Sequence, residues 1–485
     1  MFRFSVVLLC AATLHAADDL DAQLKAILNA YAIMERNAAD PISSEQAFFQ
    51  GAIPGLLRKL DPHSIFFDPG QFDQVKKMEE STQKGFGSVV SLLPGRIIVL
   101  QTQPGTPSSR AGLTPGDEIL AINGYEISRL EVEQLTQLLT QARQQQAQLV
   151  VHRPGVVRML SITMIPEEMQ TSSVERSFFL AAGIGYVRVG SFDLNTGAEI
   201  KKAIDKLGGD QLAGLVLDLR NNPGGVVKAA LETSSLFLQP GTKILTVRGR
   251  HVPETSETVP SIATPYKFKL AILVNEKTAS ASEIVSGAMQ DHDRATILGE
   301  VTYGKGLVQS VFPLSANAGL ALTTALYYTP SGRSIQKPLD SEKFELGATT
   351  AHPNVQSEFR TDKGRSVTGG GGIRPDFVVL PPAMNRLRAV LDASASFTNF
   401  ATEYLRKNKV TPDFDITPDV MRQFQLFLSE RGIQPGVADL TVEQSFMSVR
   451  LKTEIFNQAF GVEKGDEVEA QRDPVIQKAL EIVGS

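Results

Sequence analysis

Cysteine is almost absent from this chain of 485 residues, because its single cysteine is Cys10, near the N-terminus. A chain without a second cysteine cannot form an internal disulfide. The six histidines are scattered, and no histidine and glutamate share the spacing of a zinc site such as H-E-x-x-H. We therefore expect no metal and no cofactor.

The sequence also lacks a long basic run, and its net charge is −5. A protein that binds nucleic acid or an anionic membrane surface usually concentrates lysine and arginine. Neither is expected as a partner. After the N-terminal stretch, no segment approaches the ~20 consecutive apolar residues that a membrane-spanning helix needs.

The N-terminus combines Arg3 with an apolar stretch from Phe4 to Leu14, followed by Ala16 and Ala17. A basic residue, a short apolar region and small residues are typical of a secretory signal peptide. We predict that residues 1–16 are removed and that the protein is periplasmic or extracellular. The alternative is a buried, hydrophobic first helix.

The rest of the chain changes character several times, as expected for two to four domains at this length. The predicted organisation is a helical segment (17–84), a compact β-rich unit (85–166), an α/β body (167–390) and a helical extension (391–485). In the α/β body, strands at Gly185–Val189, Leu212–Leu219, Leu270–Asn275 and Ala295–Leu298 alternate with helices at Gly197–Leu207, Val226–Leu238 and Ser280–Gln290. This alternation predicts a mixed, mainly parallel sheet.

A serine at the start of a helix is the first candidate for chemistry. Ser280 follows an apolar strand and a short turn, where a hydroxyl is exposed and the first helical amides are free to bind negative charge. The same residues, however, form the pattern of a capping box, Ser280-x-x-Glu283, which has no catalytic meaning. The segment alone favours the capping interpretation.

A lysine between two glycines, Lys305, is the second candidate, and Gln309 follows four residues later. A lysine acts as a base only when its pKa falls from ~10.4 towards ~7–8, which requires burial or positive neighbours. Gln309 would then hold the neutral amine. The alternative is an ordinary surface lysine beside a turn.

A glycine turn is the third candidate. The apolar strand that ends at Asp218 runs through Arg220 into Pro223-Gly224-Gly225. Such turns present backbone amides at the carboxyl edge of a sheet. The amide of Gly224 or Gly225, together with that of Ala281, would form an oxyanion hole, although an ordinary strand-to-helix turn is an equal alternative.

Together, these three elements resemble the carboxyl-terminal processing peptidases, also called tail-specific proteases. The resemblance covers roughly residues 40–390 and includes the Asp61-Pro-His63-Ser motif and a glycine-rich turn before the last strand. It implies a serine endopeptidase in which Ser280 is the nucleophile, Lys305 the general base and Gln309 the partner that orients the lysine. Substrates would be exported proteins or peptides with free C-termini.

The β-rich unit resembles a PDZ domain. Gly85, Phe86, Gly87 and Ser88 stand where such domains have a carboxylate-binding loop, and residues 111–124 match their central strand and turn. A substrate tail would add as a strand to the open sheet edge while loop amides bind its carboxylate.

Two other functions remain open, an inactive scaffold that binds protein tails and a small-ligand binder on the same α/β body. The combination of serine, lysine and glutamine argues against both. His292, at the far end of the helix, and His63 are interpreted as structural. The extension after about Asn385 is expected to support a homodimer.

Overall fold

The computed structural model describes residues 5–73, 82–93, 95–130, 132–143, 145–314, 318–337 and 358–484. Its α-helices are α1 (Ser5–Asn37), α2 (Ile53–Leu60), α3 (Pro107–Arg110), α4 (Val132–Ala142), α5 (Thr196–Lys206), α6 (Val227–Ser235), α7 (Ala281–Asp291), α8 (Arg386–Ala393), α9 (Ser396–Lys407), α10 (Pro418–Glu430), α11 (Val437–Phe460), α12 (Val462–Ala470) and α13 (Pro474–Gly484). Within the described ranges, none of the helices combines the length and apolar character of a membrane span.

The strands of the described residues are β1 (Ile65–Phe67), β2 (Thr82–Gly85), β3 (Ser88–Leu93), β4 (Arg96–Thr102), β5 (Glu118–Ile122), β6 (Tyr125–Glu126), β7 (Ala147–His152), β8 (Leu160–Met164), β9 (Glu167–Gln170), β10 (Val174–Ala181), β11 (Ile184–Val189), β12 (Gly214–Asp218), β13 (Lys243–Arg248), β14 (Thr255–Thr258), β15 (Lys269–Val274), β16 (Thr296–Gly299), β17 (Leu307–Pro313), β18 (Gly319–Tyr328), β19 (Glu358–Arg360), β20 (Ser366–Thr368) and β21 (Phe377–Val378). The chain divides into two compact units. Of the described residues, the N-terminal unit contains 5–73, 309–314 and 318–324, and the main unit contains 82–93, 95–130, 132–143, 145–308, 325–337 and 358–484.

In the N-terminal unit, a buried carboxylate lies where helix α2 ends. Asp61 follows α2 in an extended conformation, and its carboxylate accepts hydrogen bonds from the amides of His63 (2.8 Å) and Ser64 (2.9 Å). The chain then enters β1, which pairs antiparallel with the first residues of β18. The prediction of helix throughout residues 17–84 is therefore wrong at β1, because this Asp61 turn redirects the chain into a strand, and at β2, whereas residues 69–73 are helical.

The β-rich part of the main unit is a sheet in the order β3-β4-β5-β7-β8, with β6 beside β5. Its interior is apolar and includes Ile97, Val99, Ile119 and Leu135, the last from α4. Strands β2 and β9 pair with each other where the chain enters and leaves this sheet. Strand β3, which follows the predicted carboxylate-binding loop, is an edge strand among the described residues.

The α/β part of the main unit is built on a sheet in the order β10-β11-β12-β15-β16-β21. Strand β10 is antiparallel to β11, whereas the pairs from β11 to β21 are parallel. The predicted strands and helices of this body are observed with ends shifted by one or two residues, apart from the helix predicted at Val226–Leu238, which ends three residues earlier at Ser235. The mixed, mainly parallel α/β fold is thus confirmed.

The two faces of this sheet are covered by different parts of the chain. Leu215, Leu217 and Ile272 point into a core shared with α5, α6 and α7. Val216 and Leu273 point the other way, into a core completed by the last helix, α13. Because alternate side chains of a strand face opposite sides, both faces must be covered by apolar partners.

The helical character of the C-terminal segment is confirmed, but its interpretation as an appendage is wrong for α13. This helix places Val475, Ile476, Ala479 and Val483 on one face, and all four are buried against the sheet. The close packing extends to Gly214, where an added Cβ would lie 2.8 Å from the Cβ of Val483. Helix α13 therefore belongs to the α/β body and contributes one face to its core.

Candidate active site

Ser280 lies between β15 and α7 in a strained backbone conformation. Its φ of 53° and ψ of −115° are unusual for a residue with a side chain, and such strain costs about 1–3 kcal/mol. The preceding turn is fixed by Thr278, whose hydroxyl donates to the carbonyl of Leu219 at 2.8 Å. Ser280 itself is half-buried. The fold thus holds a serine hydroxyl at a helix start in a geometry that local energetics disfavour.

Glu283 connects the Ser280 segment to the Lys305 segment. Its carboxylate accepts the amide of Ser280 at 2.9 Å, as the capping-box interpretation requires. The same carboxylate also accepts the amides of Gly304 (2.7 Å) and Lys305 (2.9 Å) and the hydroxyl of Thr302. The capping residue is therefore also a buried clamp between two segments that are twenty-five residues apart.

This clamp is electrostatically costly. Glu283 is fully buried, and burial raises the pKa of its carboxyl although its four hydrogen bonds oppose the shift. All four bonds are donated to the carboxylate oxygens, so the deprotonated form satisfies every neighbouring donor. Sequence reasoning assigned Glu283 only to the cap, because the sequence alone does not reveal which distant amides converge on it.

Tyr327 forms a second link between the same segments, from strand β18. Its hydroxyl lies 2.9 Å from the carbonyl oxygen of Lys305 and 3.2 Å from that of Ser280. Burial, and then the charge of Glu283, raises the pKa of this phenol well above its usual value, so it remains a proton donor. The sequence contained no signal for this residue.

The two glycines around Lys305 are required by close contacts. A Cβ on Gly306 would lie 2.9 Å from the amide nitrogen of Gln336, and one on Gly304 would lie 2.7 Å from the side chain of Lys337. Gly304 also has a φ of 88°, which favours glycine. Lys305 is half-buried between them.

The glycine turn, residues 219–225, packs directly against Ser280. The carbonyl of Asn222 accepts the amide of Ala279 at 3.0 Å, and a Cβ on Gly224 would lie only 2.8 Å from the Cβ of Ser280. The amide of Gly224 donates to the side-chain oxygen of Asn222 at 2.9 Å. Gly224 is therefore already bonded within the turn.

The amides of Gly225 and Ala281, by contrast, donate to no acceptor within the described ranges. Gly225 has a φ of 140° and approaches the carbonyl of Phe192 so closely that an added Cβ would lie 1.9 Å from it. Of the two predicted glycines, Gly225 is thus the one with an amide open to an oxyanion.

A buried ion pair supports the start of this turn. Asp218, at the end of β12, is fully buried and accepts the hydroxyl of Tyr186 at 2.7 Å and the guanidinium of Arg220 at 2.6 Å. Burial alone would raise the pKa of Asp218, but the charge and hydrogen bonds of Arg220 lower it below its ordinary value. The pair holds the charged side chain of Arg220 in place where the glycine turn follows strand β12.

Gln309 belongs to the N-terminal unit, whereas Ser280 and Lys305 belong to the main unit. It lies in β17, and its side-chain nitrogen donates to the carbonyl of His63 at 2.5 Å. His63 is in the Asp61 turn, in agreement with its structural interpretation. Lys305 itself precedes β17, so the two residues do not share one regular element.

The PDZ-like loop, Gly85–Ser88, is anchored on one side. The carbonyls of Phe86 and Gly87 accept the amides of Ser108 and Gln103, both at 2.8 Å. Gly87 has a φ of 74°, and an added Cβ would lie 2.3 Å from Thr106. The amides of Phe86 and Gly87 have no acceptor in the part of the chain that the structure describes.

His292 lies at the opposite end of α7 from Ser280. Its ring nitrogens lie 2.7 Å from the carboxylate of Asp362 and 2.7 Å from the carbonyl of Lys243. These contacts agree with the predicted packing role at the end of the helix.

Comparison with known proteins adds a family context. Residues 183–343 match the model of peptidase family S41, and residues 74–152 match that of the PDZ domain. The chain is 35% identical over 347 residues to the carboxy-terminal-processing protease of Bartonella bacilliformis, covering 67% of this chain and 78% of that protein. It is 31% identical over 321 residues to the carboxyl-terminal-processing protease of Synechocystis, covering 64% and 73%.

Among solved structures, the photosystem II D1 C-terminal processing protease aligns with a TM-score of 0.39 and 25% identity, covering 73% of this chain and 92% of that chain.

Proposed function

Since this chain belongs to the carboxyl-terminal-processing proteases of peptidase family S41, we propose that it is a serine endopeptidase with a Ser280 and Lys305 dyad. The observation that carries the proposal is the convergence of both segments on Glu283. The amides of Ser280 and Lys305 donate to the same carboxylate oxygen, each at 2.9 Å. These bonds fix the backbone of the proposed nucleophile relative to the backbone of the proposed base.

In the proposed reaction, neutral Lys305 takes the hydroxyl proton of Ser280 while the serine oxygen bonds to the peptide carbonyl carbon. The carbonyl π electrons move to its oxygen, where the amides of Ala281 and Gly225 donate to the negative charge. When this intermediate collapses, the peptide C–N bond breaks and the lysine ammonium protonates the leaving nitrogen. Water, deprotonated by the same lysine, then adds to the acyl carbon. The ester C–O bond breaks, the lysine ammonium returns its proton to the Ser280 oxygen, and the carboxylic acid product leaves.

The free amides of Phe86 and Gly87 and the edge position of β3 support a role of the PDZ domain in binding a substrate C-terminus. We place this domain at residues 85–166 and the protease domain at 167–390. Gln309 is proposed to orient Lys305. The substrates are proposed to be exported proteins with apolar C-termini, met after removal of residues 1–16, and the enzyme is proposed to be a homodimer.

The test is cleavage of an unstructured protein that ends in apolar residues. Ser280→Ala and, separately, Lys305→Ala are each expected to reduce kcat by at least about 10³-fold, because each removes a group that reacts directly. Lys277→Ala is the matched control, since Lys277 is an exposed lysine of the turn before Ser280. Undiminished hydrolysis by either dyad variant, folded as judged by its thermal transition, would refute the mechanism.

The same substrate with an amidated C-terminus separates tail recognition from chemistry. We expect KM to rise while kcat stays within about twofold, because amidation removes the carboxylate that the loop amides bind. Equal KM values for both substrates would remove tail binding from the proposal.

A further inference from the structure

The last helix, α13, is connected to the glycine turn by one carboxylate. Asp473 precedes α13, and one of its oxygens accepts the amides of Val475 (2.8 Å) and Ile476 (3.1 Å), which makes it the N-cap of the helix. The other oxygen accepts the guanidinium of Arg220 at 2.6 Å. The side chain of Asp473 thus joins the C-terminal helix to Arg220 in the glycine turn.

Arg220 is held by two carboxylates with different functions. Its Nε and Nη2 bond to the buried Asp218 at the end of β12, and its Nη1 bonds to Asp473. The side chains of Arg220 and Asp473 are 19% and 20% exposed, so solvent only partly screens the pair. Without Asp473, one edge of the guanidinium loses its charged partner.

The glycine turn, which contains Arg220, packs against the Ser280 segment. The carbonyl of Asn222 holds Ala279, and Gly224 packs against Ser280 itself. A shift of Arg220 would therefore be transmitted through the four intervening residues of the turn to the Gly225 amide. Displacements of about 1 Å are sufficient to reduce catalysis by about 10²-fold.

We propose that Asp473 is a positioning residue that couples the C-terminal helix to the oxyanion-binding amide of Gly225. This inference rests on the proposed function. Asp473 lies outside both stretches that match family models, 74–152 and 183–343. The C-terminal helix is thereby part of the catalytic apparatus and more than a cover for the sheet.

A second arginine in the same cavity provides a matched control. A cavity of about 280 Å³ at the carboxyl edge of the sheet is lined by both Arg220 and Arg176. Arg176 pairs with Asp466 of α12, and the two side chains are 27% and 34% exposed. Because Arg176 lies on β10, the antiparallel edge strand, it does not lead into the glycine turn.

The experiment compares Asp473→Asn with Asp466→Asn in the full-length protein. Asparagine caps a helix about as well as aspartate, so Asp473→Asn removes the negative charge that faces Arg220 while preserving the start of α13. We expect kcat to fall by about 10- to 100-fold with KM unchanged, a smaller loss than the about 10²–10³-fold for deleting an oxyanion donor. Asp466→Asn is expected to change kcat by less than about twofold.

Hydrogen exchange of residues 219–226 gives a readout that does not depend on activity. Asp473→Asn is expected to accelerate exchange in this peptide, and Asp466→Asn is not. If both variants match the unsubstituted enzyme in kcat and exchange, the inference is wrong while the proposed function stands. If the unsubstituted protein does not cleave the tail-bearing substrate, the proposed function fails, and the catalytic role of Asp473 fails with it.

Discussion

The Ser280 and Lys305 segments and the PDZ-like loop both depend on glycines in unusual conformations, but they are held in different ways. The two segments are joined by two buried side chains. Glu283 accepts an amide from each segment, and Tyr327 forms the second link. In the PDZ-like loop, the carbonyls of Phe86 and Gly87 accept hydrogen bonds, whereas their amides have no acceptor among the described residues and lie beside the edge strand β3. A reacting group needs a fixed position before substrate arrives, whereas a loop that binds a tail must leave its donors free.

The largest expected effect comes from removing the clamp. Glu283→Gln replaces one carboxylate oxygen by an amide group that cannot accept the hydrogen bonds made there, which leaves buried donors unsatisfied. We expect kcat to fall at least about 10²-fold and the free energy of unfolding to fall by about 2–5 kcal/mol. Steady-state kinetics and urea denaturation measure the two quantities.

The control for this variant is Glu276→Gln, an exposed glutamate in the turn before Ser280. It should leave both quantities unchanged. Full activity of Glu283→Gln would show that the two segments hold their positions without Glu283. The proposed difference between these fixed segments and the PDZ-like loop would then be wrong.

A smaller effect is expected from the second link. Tyr327→Phe removes the hydroxyl that donates to the carbonyls of Ser280 and Lys305 but keeps the buried ring. We expect a loss of about 1 kcal/mol in the free energy of unfolding and an about tenfold lower kcat. Tyr328→Phe, whose ring lies 4.9 Å from the guanidinium of Arg248, is the control on the same strand; an equal loss in both variants would contradict a specific role for Tyr327.

A substitution in the PDZ-like loop should raise KM and leave kcat unchanged. Gly87→Ala places a methyl group against Thr106, which is itself fixed by a 2.6 Å hydrogen bond to the carbonyl of Gln103. We expect about a tenfold higher KM for a tail-bearing protein. Gly105→Ala is a strict control, because Gly105 has a similar φ of 77° but open space around its Cα; a matching KM for both variants would assign the effect to backbone strain alone.

The smallest expected effect is a pH dependence of stability. The pKa of Asp218 is lower in the folded protein than in the unfolded chain, so its stabilising contribution is complete above the unfolded value of about 3.9. It is lost as the pH falls below that value. Between pH 5 and pH 3, the free energy of unfolding should fall more for the unsubstituted protein than for Asp218→Asn, as measured by denaturation. An equal fall in both proteins would contradict the lowered pKa of Asp218.

Local patterns were sufficient for most of the secondary structure. The alternation of strands and helices predicted the α/β body, and the helical character of the segment after residue 391 was also predicted. The exceptions were β1 and β2 in the stretch predicted as helix; at β1 the Asp61 turn redirects the chain into a strand. Hydrophobic periodicity does not record that a carboxylate will gather nearby amides.

The capping box at Ser280 shows where sequence reasoning stops. The sequence alone determined the helix start, the glycines around Lys305 and the glycine turn, because each follows from local backbone geometry. Only the tertiary structure decided that Glu283 also holds Lys305, that Tyr327 joins the two segments, and that Gly225 rather than Gly224 has an open amide. It also placed α13 in the core and Asp473 against Arg220. These contacts join residues up to 253 positions apart, and their geometry depends on how the sheet brings its carboxyl ends together.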